Sequence, residues 1–171
     1  MTGRIVQVAT SKGGVPKLPL LEGHLEKRGF VGDKFRNPRF HGGPQQAVLL
    51  ITLEGIEELK AQGFPLYPGA LGENLTTEGL DRRALRIGDN LQAGEASIQI
   101  TKLRVPCDTL TPYGAGIQAA VFDTRVKAGD WASPRWGLSG FYARVVQEGV
   151  IRPNDIITLD LVLLPSDASP A

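Results

Sequence analysis

Glycine and proline break this chain too often for a long helix to run through it. The 171 residues include 21 Gly and 12 Pro. Glycine frees the backbone for tight turns, and proline removes an amide donor from any ladder or helix. Short strands are therefore favoured over long helices. Residues 4–9, RIVQVA, are β-branched and alternating, and predict a strand. Residues 47–52, AVLLIT, predict a buried strand. In 53–63, LEGIEELKAQG, Leu53, Ile56 and Leu59 recur at helical spacing, with Thr52 placed to cap the start and Gly63 to end it. Residues 85–105 predict two strands about a short turn at 93–95. On the second strand Ala96, Ile98 and Ile100 share one face, and Ser97, Gln99 and Thr101 the other. Residues 116–130 admit helix, and 140–151 and 155–164 predict late strands. Residues 10–20, 29–46 and 65–81 read as loops. Six to eight short strands and one clear helix predict a mainly β, barrel-like single domain over 1–164, with a flexible tail at 165–171.

Charge and cysteine content narrow the function. Lys and Arg number 19 against 18 acids, a net charge of +1. The basic excess of a dedicated nucleic-acid binder is missing, so nucleic acid is an unfavoured partner. One cysteine makes no internal disulfide, which suits a reducing compartment. No apolar run approaches the roughly 20 residues that span a bilayer, and MTGRIVQVATSKGG carries no signal-peptide core. The expectation is a cytoplasmic protein that does not engage a membrane.

Three stretches can carry chemistry. The first is LRVPCDTL, 103–110, with the lone Cys107. Free cysteine is often a small buried hydrophobe. Here Pro106 ends the strand, Arg104 stands nearby as a cation that favours thiolate, and the following segment is polar, which suits an accessible strand-end thiol. The second is GDKFRNPRFHGGP, where Lys34, Arg36 and Arg39 approach His41, Gly42 and Gly43. Paired glycines let successive amides point at an anion, and the cations add charge for a phosphate or other oxyanion. Asp33 is placed to orient a cation or the imidazole. The bland alternative is a solvated basic loop. The third is PGALGENL, with Glu73 and Asn74. Asn74 can bond a heterocycle edge, or both residues can simply hold a turn, with Glu73 pinning a backbone N–H. Whether Lys17 reaches the same site is open, as is a Cys–His pair of Cys107 with His41 or His24. Trp131 and Trp136 read as loop residues covering the core. One Cys and two His make a closed zinc site improbable, and no dinucleotide, P-loop or hydrolase-elbow motif is present.

Taken in order, GFVGDKFRNPRFHGGPQQAVLLITLEGIEEL, PGALGENLTTEGLDRRALRIGDNLQAG, ITKLRVPC and GFYARVVQEGVIRPNDII resemble the MOSC domain, named for the C-terminal domain of molybdenum cofactor sulfurases. The resemblance runs over about residues 3 to 160. It implies a MOSC-type β-barrel with a few short helices. It implies that Cys107 matches the family's key cysteine, which carries persulfide in sulfurases and ligates molybdenum of the pterin cofactor in reductases. Pyridoxal phosphate binding is a further association of the family. The likeness extends to small bacterial members linked to detoxifying N-hydroxylated bases, which typically continue into a helical C-terminal extension that 165–171 does not provide. The expected protein binds a molybdenum pterin cofactor with Cys107 as metal ligand. Lys17, Lys34, Arg36, Arg39, Gly42, Gly43, Asn74 and Arg104 contact the cofactor, and Asp33 and His41 deliver protons or orient a small-molecule substrate. As a reductase it needs an electron-donor protein, since one Cys holds no iron–sulfur cluster. The rivals are a non-catalytic sulfur carrier or cofactor-binding module, and a barrel that binds RNA or protein.

Overall fold

The computed structural model describes residues 1–35 and 42–160. Strand β1 is Thr2–Thr10, β2 Leu18–Leu20, β3 Gly23–Glu26, β4 Gly29–Phe30 and β5 Val48–Thr52. Helix α1 is Leu53–Ala61. Strands β6, Leu75–Glu78, β7, Asn90–Ala93, and β8, Ala96–Leu103, follow. Helices α2, Ile117–Val121, and α3, Thr124–Lys127, precede β9, Phe141–Gln147, β10, Gly149–Ile151, and β11, Ile156–Asp160. Short 3₁₀ turns occupy Pro44–Gln46 and Asp108–Tyr113.

Seven strands close into a ring in the order β1, β6, β5, β9, β8, β7, β11, with β11 returning to β1. Thr2 pairs with Thr158 and Arg4 with Ile156 at that seam. Closure leaves those strands without a free edge, the usual solution for a small barrel. β2 continues outward from β1, and β10, β3 and β4 form a separate small sheet. Neighbours in the ring run antiparallel except β5 and β6, where Leu50 faces Leu75 in parallel register.

Alternation decides which side chains fill the ring. Ala96, Ile98 and Ile100 point inward from β8, as the pattern of 96–101 predicts, and pack with Ile5, Leu50, Leu75, Leu91 and Phe141. A second apolar cluster lies outside the ring. There Ile56 and Leu59 of α1 meet Leu66, Leu110, Tyr113 and Ile117. It buries the segment that follows Cys107. α1 begins as its sequence requires: Thr52 accepts the Gly55 amide at 3.2 Å, and Gly63 turns the chain away at φ 96°.

Several expectations are corrected. Eleven strands, not six to eight, lie among the described residues. The stretch 65–81, read as loop, contains β6 in the barrel wall. Its Leu75, Thr76 and Thr77 are all buried, so no alternation marks it, as is usual beside a parallel neighbour. The stretch 10–20 contains β2, and 29–46 contains β4 and a 3₁₀ turn. Residues 140–151 divide into β9 and β10. Residues 161–164, the expected end of the last strand, and the tail at 165–171 lie outside the described residues. Trp136 does cover the core, with its indole N–H on the Leu85 carbonyl at 3.0 Å. Trp131 does not. It is exposed, with the Arg86 guanidinium 4.4 Å from its ring centre.

Candidate functional site

A pocket of about 540 Å³, counting its open mouth, lies beside the starts of β2 and β5 and the end of β8. Leu49, Leu71, Val15 and Phe35 supply apolar walls. Lys17, Lys34, Asn74, Arg104, Thr109 and Tyr142 supply polar atoms. Five sequence candidates (Cys107's neighbour Thr109 aside) are thus gathered from four distant stretches: Lys17, Lys34, Asn74 and Arg104 in the wall, and Asp33 directly behind it.

Asp33 organises one side. Its side chain is 2% exposed and that of its partner Lys17 is 7% exposed. Both Asp33 oxygens accept from Lys17 Nζ. Oδ1 also accepts the Ser11 amide at 2.8 Å, and Oδ2 accepts Asn74 Nδ2 at 2.8 Å. A carboxylate with this many donors is fully compensated for its burial. Burial pushes the Lys17 ammonium below the usual lysine range, while Asp33 opposes that shift. Lys17 is also fixed through its backbone, its amide meeting the Gly69 carbonyl at 2.9 Å.

Asn74 is a clamp between strands. Its Oδ1 accepts the Leu49 amide at 3.1 Å, and its Nδ2 also meets the Ala9 carbonyl at 3.1 Å. Its backbone bonds Leu49 and Ala9 again, both at 2.8 Å. Both amide donors are engaged within the protein, so any heterocycle contact falls to the second lone pair of Oδ1. Glu73 does pin a turn: its Oε1 accepts the Gly69 amide at 2.6 Å and the Thr76 hydroxyl at 3.1 Å.

Arg104 closes the opposite side. It is 4% exposed and its backbone is locked, the amide on the Gly140 carbonyl at 2.9 Å and the carbonyl accepting Ser139 Oγ at 2.7 Å. Its side chain bonds Tyr142, whose phenol is raised above its ordinary range by burial, with Arg104 working against the rise. Nη1 is buried and finds no hydrogen-bond partner among the described residues. A buried guanidinium with an unmet donor at a pocket wall is a site prepared for an acceptor.

Cys107 follows at the pocket's edge. It is half-buried, and its Sγ lies 3.0 Å from Oγ1 of Thr109, which lines the pocket. The Cys107 carbonyl starts the 3₁₀ turn by accepting the Leu110 amide at 3.1 Å. Leu110 is fully buried, so the turn is anchored while Cys107 stays half-buried. Among the described residues no three His, Cys, Asp or Glu side chains converge to hold a metal ion. Cys107 can therefore offer one thiolate to a metal that brings its other ligands with it.

Gly42 and Gly43 adopt φ 84° and 90°, the left-handed backbone that lets this segment bend. Arg36, Arg39 and His41 lie outside the described residues. Ser11, Thr109 and Tyr142 are site residues that the sequence reading missed. Thr109 stood two residues from Cys107, but Ser11 and Tyr142 are brought in only by the tertiary fold. His24 lies 3.4 Å from Glu22, exposed on β3 and its approach, and among the described residues it makes no hydrogen bond to Cys107.

The protein is thus a small β protein whose seven strands close into a barrel, with a cationic pocket and a single cysteine a few residues beyond the end of β8. Residues 37–158 match the MOSC domain, and the chain belongs to that family. It is 33% identical over 133 residues to the uncharacterized protein YflK of Bacillus subtilis, covering 76% of this chain and 55% of that one. It is 34% identical over 87 residues to the protein YiiM of Escherichia coli, covering 48% of this chain and 39% of that one. The chain thus spans about half the length, or less, of these relatives. The crystal structure of YiiM from Geobacillus stearothermophilus superposes with a TM-score of 0.70 at 27% identity, over 92% of this chain and 75% of that one. The YUAD protein of Bacillus subtilis shares the fold, with a TM-score of 0.67 at 19% identity over 92% of this chain and 94% of that one. The mainly β barrel with short helices is as expected from the sequence. No helix among the described residues is long and apolar enough to cross a membrane.

Proposed function

We propose that this protein binds a molybdenum pterin cofactor in the pocket and reduces N-hydroxylated compounds with it. The observation that carries this reading is the meeting of two features: a buried Arg104 Nη1 with no partner among the described residues, and the half-buried Cys107, whose Sγ lies 3.0 Å from the hydroxyl of the pocket-lining Thr109. The residues fit such a group. Arg104, Lys17 and Lys34 match its phosphate, since guanidinium and ammonium donors recognise phosphate oxygens. The Cys107 thiolate matches a metal whose shell is already rich in soft sulfur. Family membership supports the association with the molybdenum cofactor. It lends no support to pyridoxal phosphate.

When bound, the cofactor supplies a two-electron couple for cleaving an N–O bond. The balance is R–NHOH with two electrons and two protons giving R–NH2 and water. Asp33 holds Lys17 and Asn74 in register, and so positions the cationic wall. His41 is a candidate for proton delivery. Apolar Phe35, Leu49 and Leu71 exclude water from the inner pocket. On this reading the electrons come from a donor outside these 171 residues, because one cysteine cannot hold an iron–sulfur cluster. A cytoplasmic setting belongs to the proposal, as a free thiol at a cleft persists best under reducing conditions.

The rival reading, a sulfur carrier on Cys107, uses the same thiol. Elemental analysis after expression in a cofactor-producing host separates the two. Molybdenum near one per chain, lost in Cys107→Ala, is the expected result. Sulfane sulfur on Cys107 with no molybdenum overturns the reductase reading in favour of sulfur handling.

A further inference from the structure

We infer that Glu73 is a charge-setting residue for the pocket: its carboxyl, buried directly behind the cationic wall, governs through Arg104 and Lys17 how strongly the pocket holds an anion. This rests on the reading of the pocket as an anion site.

The argument begins with position. Gly72 and Asn74 line the pocket, and Glu73 stands between them with 0% exposure. Oε1 is held by the Gly69 amide and the Thr76 hydroxyl, so the carboxyl cannot swing out to water. Oε2 is buried and finds no partner among the described residues. An unmet carboxylate oxygen in a dry site is costly, whereas a neutral carboxyl is far less so. Burial accordingly raises this carboxyl above the usual carboxylate range, with Arg104 opposing.

The same group acts on both sides of the cleft. Its charge is felt by Lys17 and by Tyr113, and Arg104 acts on it in turn. Among the described residues, the charged or titratable groups that interact with it are Lys17 before β2, Arg104 after β8 and Tyr113 in the 3₁₀ turn. Lys17 already has Asp33 as counter-ion. Arg104 has no salt-bridge partner among the described residues, and its Nη1 is unmet. An ionised Glu73 would partly neutralise Arg104 and compete with any ligand anion. A protonated Glu73 would leave the guanidinium's charge to the ligand. Anion binding and protonation of Glu73 must then favour one another reciprocally.

Sulfate is the probe, because its charge is constant across the range in which carboxyls titrate. Calorimetric titration of the wild-type chain should show affinity falling about tenfold as pH rises through the Glu73 transition, the effect of a one-unit linked shift. Glu73→Gln keeps the Gly69 bond and should bind sulfate at the wild type's low-pH strength with that fall abolished. Wild-type protein, needing no substitution, gives a second readout. Binding near mid-transition should take up protons, seen as a dependence of the heat on the buffer's ionisation enthalpy. A pH-independent wild type without proton uptake, or a Glu73→Gln protein with the slope intact, overturns the inference while leaving the anion pocket standing. No sulfate binding at any pH removes the anion pocket itself, and the inference with it.

Discussion

Three buried polar side chains, Asn74, Asp33 and Glu73, make testable cases at the scale of the single residue. Asn74 joins β1, β5 and Asp33 through one buried amide. Asn74→Ala strands a backbone amide, a carbonyl and a carboxylate oxygen, so a loss of about 2–4 kcal/mol is expected in urea unfolding. Asp33→Ala leaves the Lys17 ammonium buried without a counter-ion, which costs about 3–5 kcal/mol. Asp33→Ala with Lys17→Met should recover part of that loss, measured as a double-mutant coupling. Glu73 supplies a pH signature. Its folded-state carboxyl titrates above the unfolded one, so the folded state binds the extra proton. Its contribution is therefore fully present below the ordinary carboxylate range and lost as pH rises through the folded value. Chemical denaturation across that range should show this fall in the wild type and not in Glu73→Gln.

Elements differ in how openly the chain announces them. α1 is announced by helical spacing, a capping Thr52 and a terminating Gly63, and Thr52→Ala should cost about 1 kcal/mol. β8 is announced by alternation. β6 is not, because both faces of Leu75–Thr77 are covered and two glycine-rich turns frame it. Lys17 could not be placed from sequence, since its partner lies sixteen residues on and the pair exists only once β1 and the 31–35 segment converge. Cys107 could be placed only roughly: Pro106 reads as the strand end, but β8 already ends at Leu103, and the segment after the thiol, which reads as polar surface, buries Leu110 and Tyr113. Gly140 shows how an element tunes the site from outside. At φ 96°, an added Cβ would lie 2.7 Å from Ile51 Cγ1 and 3.0 Å from the Leu50 carbonyl oxygen, while Gly140's own carbonyl holds the Arg104 amide. Gly140→Ala should both destabilise the protein and weaken sulfate binding, the latter measured well below the melting temperature.

At the scale of the molecule, the barrel is a closed circuit, and its last link is β11 on β1. Ile157 is fully buried there. Ile157→Ala should cost about 2–5 kcal/mol, the range for large-to-small core changes, with a single cooperative transition retained. The near balance of charge means that nothing global attracts a polyanion; whatever selects an anion does so locally, at the pocket. The seam has one more implication. Because the first strand and the last described strand lie side by side, with Leu159's amide on the Met1 carbonyl at 2.9 Å, the order of elements around the ring does not depend on where the chain is cut. Losing the β1–β11 pairing would open the ring as a whole, leaving β11 and the Thr2–Arg4 half of β1 as free edges.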